Sequence, residues 1–111
     1  MALQISSEFV RNLSNYIMSS VLDKVNLQKV ILFGSFAKGT QHECSDIDIA
    51  LISPDYRECD YLNESVKAMD IFEDFDDRVE PHLFSPEEML SDDDVFVKEI
   101  KRTGIVVYHE M

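Results

Sequence analysis

Basic residues are scarce in this chain: 10 Lys and Arg stand against 22 Asp and Glu, a formal net charge of −12 over 111 residues. A surface of that sign repels phosphate backbones, so direct nucleic-acid binding is not expected, and a cation or a basic protein is favoured as partner. Cysteine is nearly absent too. Cys44 and Cys59 form no CxxC pair and the three histidines are scattered, so neither a zinc site nor a disulfide framework is expected and a reducing, cytoplasmic setting is. No apolar run reaches the length of a membrane span, and the N-terminal MALQISSEFVRNL lacks the basic and apolar regions of an export signal. Linkers, repeats and low-complexity stretches are missing as well. The length leaves room for one domain, residues 1–111, and none for a second, substrate-binding one.

What the chain does contain is a hydrophobic fraction of 45%, normal for a globular protein. From Ile5 to Val25 the apolar residues Ile5, Phe9, Leu13, Ile17 and Val21 recur every four positions, which predicts an amphipathic helix. KVILFG then reads as a buried strand stopped by glycine, and IDIALIS as a second strand closed by the turn Ser53-Pro54-Asp55. Between Asp60 and Phe75, the spacing of Leu62, Val66, Met69, Phe72 and Phe75 predicts a second long helix. RVEPHLF is a third strand candidate, and its Pro81 argues for an edge position or a bulge. In SPEEM, Ser85, Pro86 and Glu88 make a capping box that predicts a short helix. A last helix from about Asp93 to Arg102, stopped by Gly104, precedes a short IVVY strand. The order predicts a small α/β or α+β fold, with helices on one face of a mixed sheet.

The chemistry concentrates in GSFAKGTQHECSDID, residues 34–48. Side chains alternate along a strand, so Asp46 and Asp48 should emerge on one face about 6.6 Å apart. Two carboxylates that close repel each other unless a cation lies between them, and a hard divalent metal suits their oxygens. Upstream, Gly34 lets the backbone leave the strand sharply. Ser35 offers a hydroxyl and an N–H at the start of an expected helical segment, where unpaired N–H groups face an anion, and Lys38 can add a positive charge. Two familiar motifs fail on spacing. A P-loop would need lysine where Thr40 follows Gly39. An EF-hand starting at Asp46 would need an oxygen ligand at Ala50, glycine at Leu51 and glutamate at Arg57.

Gly34-Ser35, ten intervening residues and then Asp46-Ile47-Asp48 resemble the signature of the polymerase-beta-type nucleotidyltransferase superfamily. FGSFAKGT with SDIDIALIS resembles its minimal nucleotidyltransferase (MNT) branch, most closely over residues 30 to 53. The resemblance implies that fold, with the catalytic aspartates Asp46 and Asp48 binding Mg²⁺, two ions in all. It also implies a Gly-Ser turn holding the triphosphate of ATP and a third carboxylate from a later strand. Glu80 is the candidate for that third group, with Asp76 and Asp77 as alternatives; as well as holding metal, it would activate the attacking hydroxyl. Gly34, Ser35, Lys38 and Ser45 are the candidate nucleotide-binding residues. Stand-alone members of the branch look like antitoxins paired with HEPN-type toxin ribonucleases, which implies transfer of AMP to a tyrosine of such a partner within a hetero-oligomer. The alternatives are a catalytically idle module that neutralises a toxin by binding it, or a nucleotidyltransferase acting on a small molecule such as an antibiotic. His82 reads as a structural strand histidine more readily than as a ligand-contacting one. Phe72, Phe75 and Tyr61 read as core or interface rather than a base-stacking platform.

Overall fold

In the computed structural model, residues 7–34, 37 and 46–110 are described. Helix α1 (Ser7–Tyr16) runs into a single π-helical turn (Ile17–Val21). Strands β1 (Lys29–Phe33) and β2 (Ile47–Ile52) come next, then a 3₁₀ turn (Pro54–Tyr56) and α2 (Tyr61–Glu73). Strand β3 (Val79–Phe84), a second 3₁₀ turn (Glu88–Leu90), α3 (Val95–Thr103) and β4 (Ile105–His109) complete the order. The four strands form one mixed sheet in the order β3-β2-β1-β4. Strand β1 is antiparallel to β2 and β4, whereas β2 and β3 are parallel. A parallel pair needs a crossover, and α2 supplies it.

Each strand lies where the sequence predicts it. Pro81 sits on an edge strand, as its missing N–H requires. Ile47 and Ser53 donate to the carbonyls of Arg78 and Phe84, so the even-numbered residues of β3 turn their backbone groups toward β2. Pro81 therefore faces the open side, where no ladder bond is lost.

The first helix differs from the expected Ile5–Val25. Residues 5 and 6 lie outside the described ones, and the helix widens at Ile17, where Leu22 N–H reaches the Ile17 carbonyl at 3.1 Å, five residues back. The cause is the period of the sequence. Apolar residues every four positions drift about 40° per step around an α-helix of 3.6 residues per turn, and a wider turn cancels the drift. Leu13, Ile17 and Val21 all stay fully buried.

The expectation of helices on one face is corrected as well. Val30 and Leu32 of β1 with Ile47, Ile49 and Leu51 of β2 pack against α1 and α2 through Leu13, Ile17, Ala68 and Phe72. The alternate residues Ile31, Phe33, Ala50 and Ile52 pack on the other face against Met89 and against Val97 and Ile100 of α3. Both faces are covered because β1 and β2 are apolar at nearly every position, as strands buried on two sides must be. Asp94 caps α3, its carboxylate accepting from the N–H groups of Phe96 and Val97 at 2.9 and 3.3 Å, so this helix begins one to two residues later than expected. The Ser85–Glu88 capping box forms reciprocally, at 2.9 and 3.2 Å, and the short helix expected there is a 3₁₀ one, Glu88–Leu90. No helix of the described residues is long and apolar enough to cross a membrane.

Candidate functional site

The parallel register between β2 and β3 sets Asp48 opposite Glu80 and Ala50 opposite His82. Partners in a ladder share a face, and so do residues two apart on one strand. Asp48, Glu80 and His82 thus project together on the side of the sheet that carries α3. One donor atom from each lies within 4.8 Å of the others. His82 Nε2 is 3.2 Å from Asp48 Oδ1, and the two side chains are about one quarter exposed.

The imidazole ring is held by aromatic neighbours. Its centroid lies 5.2 Å from that of Phe33 and 5.5 Å from that of Phe96, each tilted by 60°. Phe33 and Phe96 meet edge to face at 5.4 Å. These contacts fix the ring from β1 and α3 while leaving Nε2 toward the carboxylate.

Gly34 closes the site from above the end of β1. Its φ is +76°, and a Cβ there would stand 2.6 Å from Asp48 Oδ2. Glycine is required twice over, for the left-handed backbone and for the close approach. The space that a side chain would fill is left beside a carboxylate oxygen. That cradle and the hard-oxygen donors around it fit a divalent cation.

Asp46 is exposed, immediately before β2, and stands outside the 4.8 Å group. With Glu80, His82, Tyr61, Ser65 and Met69 it lines a cleft of about 360 Å³ at the β3 edge. The Ser65 hydroxyl in that wall is buried without a hydrogen-bond partner. Asp76 is engaged elsewhere. Its carboxylate accepts from Arg78 Nε at 3.1 Å, Nη2 at 2.8 Å and the Arg78 backbone N–H at 2.9 Å. The Arg78 side-chain hydrogen bond holds this carboxyl below its usual range, against the opposing effect of burial. Asp77 lines the cleft without joining the 4.8 Å group.

Of the residues singled out in the sequence, Gly34, Asp48 and Glu80 are brought together and Asp46 lies at the rim. Ser35, Lys38 and Ser45 lie outside the described residues; of the helical segment expected to begin at Ser35, Ala37 is described and is helical. His82 is the addition. Its signal was the alternation in Glu80-Pro81-His82, which puts imidazole and carboxylate on one strand face just as Asp46-Ile47-Asp48 pairs two carboxylates. Phe72 is core, and Phe75 packs edge to face on Phe9; Tyr61 is exposed at the cleft.

Known proteins resemble this chain in sequence and in fold. The chain is 48% identical to protein adenylyltransferase MntA of Shewanella oneidensis over 42 residues, which are 37% of this chain and 30% of that relative. The aligned stretch thus spans less than a third of the relative's length. A crystal structure of a toxin–antitoxin with AMP-PNP superposes with a TM-score of 0.63 and 26% identity, covering 88% of this chain and 74% of that one. A tri-AMPylated Shewanella oneidensis HEPN toxin in complex with MNT antitoxin gives a TM-score of 0.56 at 21% identity, over 87% of this chain and 70% of that one, a likeness of fold. The family model described as Polymerase beta, Nucleotidyltransferase matches residues 15–111, from the end of α1 onward, and on that span the chain belongs to this family.

Proposed function

We propose that this protein transfers AMP from ATP to a tyrosine hydroxyl of a HEPN-type ribonuclease toxin, releasing pyrophosphate, and that it acts in the cytoplasm as the antitoxin of that partner. The observation that carries the reading is the register setting Asp48 opposite Glu80 beneath the Gly34 turn. The name of the MntA relative and the AMP-PNP of the toxin–antitoxin neighbour support the choice of nucleotide.

Asp46, Asp48 and Glu80 would hold Mg²⁺, two ions in the assembled complex. Bound there, the metal supplies charge neutralisation for the triphosphate and for the reacting phosphoryl group. The chain's own groups do the rest. The Gly34 turn, with Ser35, Lys38 and Ser45, holds the triphosphate against the carboxylates. Glu80, exposed on the edge strand, accepts the proton of the attacking hydroxyl as it approaches from the cleft side. Catalysis is then mostly positioning and electrostatics.

A protein acceptor suits the surface beside the cleft. Leu62, Val66 and Met69 lie at successive turns of α2 and are 76, 49 and 51% exposed, with Asp70, Glu73 and Asp77 close by Met69. An apolar strip among acidic residues matches a basic partner. The same surface would serve a module that neutralises its partner by binding alone, so the two readings are separated by covalent change. The protein is incubated with its genomic neighbour's product, ATP and Mg²⁺, and the product's mass is measured. The expected result is a gain of one or more AMP units, reduced at least about 100-fold in rate by Asp48→Asn with the complex still formed. A stable complex with no mass gain would leave only the binding module.

A further inference from the structure

We propose that His82 is a direct ligand of the divalent cation, so that two carboxylates and one imidazole hold the metal and select Mn²⁺ over Mg²⁺. The inference rests on reading the site as a nucleotidyltransferase metal centre and adds to it a ligand and a metal preference.

Geometry comes first. His82 Nε2 lies 3.2 Å from Asp48 Oδ1, and donor atoms of Asp48, Glu80 and His82 fall within 4.8 Å of one another. An ion with bonds of about 2.1 Å separates neighbouring ligand atoms by roughly 3 Å and opposite ones by roughly 4.2 Å. The three side chains therefore close around one ion with small rotations. The ring is also aimed. Phe33 and Phe96 pack against it at 5.2 and 5.5 Å, which fixes the imidazole plane in advance and lowers the entropy lost on ligation. Access is open, since the Asp48 and His82 side chains keep 26 and 24% exposure and Glu80 is exposed.

Donor chemistry sets the preference. Mg²⁺ is held by oxygen ligands and retained waters, whereas an imidazole nitrogen raises affinity for first-row transition ions. Mn²⁺ accepts the same six-coordinate, carboxylate-rich surroundings as Mg²⁺ while tolerating nitrogen. An Asp–Glu–His set thus departs from the all-carboxylate arrangement in the direction of Mn²⁺.

The test uses the 111-residue chain loaded with Mn²⁺ alone, without nucleotide, and pulsed electron paramagnetic resonance. The expected spectrum contains ¹⁴N coupling from a coordinated imidazole. That coupling disappears in His82→Phe, which keeps a ring against Phe33 and Phe96, and in His82→Asn, which keeps a polar side chain. Mn²⁺ affinity, read by titration, falls about tenfold or more in both variants, while Mg²⁺ affinity changes less. Should either variant fail to fold, the wild-type spectrum and the other variant decide. Bound Mn²⁺ without nitrogen coupling overturns the role of His82 and leaves the nucleotidyltransferase reading standing. Coupling that persists in a folded variant overturns it as well, and so does a wild-type protein that binds no Mn²⁺, while the AMP-transfer measurement decides the nucleotidyltransferase reading by itself.

Discussion

Replacing Gly34 by alanine would force a Cβ to within 2.6 Å of Asp48 Oδ2 on a backbone already at a φ of +76°. Such a conformation costs about 1–3 kcal/mol for a residue with a side chain, and relief would have to come from Asp48 moving. The expected outcome for Gly34→Ala is a loss of stability in that range by urea unfolding, together with loss of the proposed AMP transfer. A variant of unchanged stability would show that the turn does not press on the carboxylate. Residues of this kind are readable in a sequence because chemistry and chain direction coincide: glycine at a strand's end, then two aspartates one residue apart. His82 is different. The alternation in Glu80-Pro81-His82 puts the imidazole on the face of a carboxylate, but its meaning depends on which strand lies beside it and in what register.

At the level of elements, the turn that leads into β3 aligns Glu80 with Asp48. Arg78 grips Asp76 there through side chain and backbone, and the Asp76 carboxyl is held below its usual range mainly by the Arg78 side-chain hydrogen bond. A carboxyl whose acidity is strengthened by folding adds stability above its unfolded pKa, about 3.9, and loses that contribution as pH falls through the lower folded value. Asp76→Asn is expected to cost of order 1 kcal/mol at neutral pH, solvent around the pair keeping it small. The gap to wild type should narrow below about pH 4 in urea titrations. A gap independent of pH would assign the loss to packing. Three strands are legible as short β-branched runs and β3 as a strand candidate marked by Pro81, and the Ser85 capping box is legible too, whereas the caps at Asp60 and Asp94 emerge only from the structure. Two further features were not legible. An apolar stripe on α3 says that the helix packs but not on which side of the sheet, and a four-residue period in α1 reads as α-helix until the widened turn at Ile17 is seen.

Across the whole molecule, a net charge of −12 steers association with a basic partner while weakening with salt. The association rate with the proposed toxin partner is therefore expected to fall by about tenfold or more between 50 and 500 mM NaCl, with a smaller change in dissociation rate, measured by stopped flow. A salt-independent rate would mean that recognition runs through the apolar strip alone. The sheet's open border adds a further consequence. Glu80 and His82 lie on β3, an edge strand, and the backbone of the buried Pro81 between them turns to the open side. A missing donor at the centre of that border denies an extended foreign chain the continuous hydrogen-bond template it would need to zip on. One imino acid thus guards against fibril-like stacking while leaving the flanking side chains uncovered for chemistry.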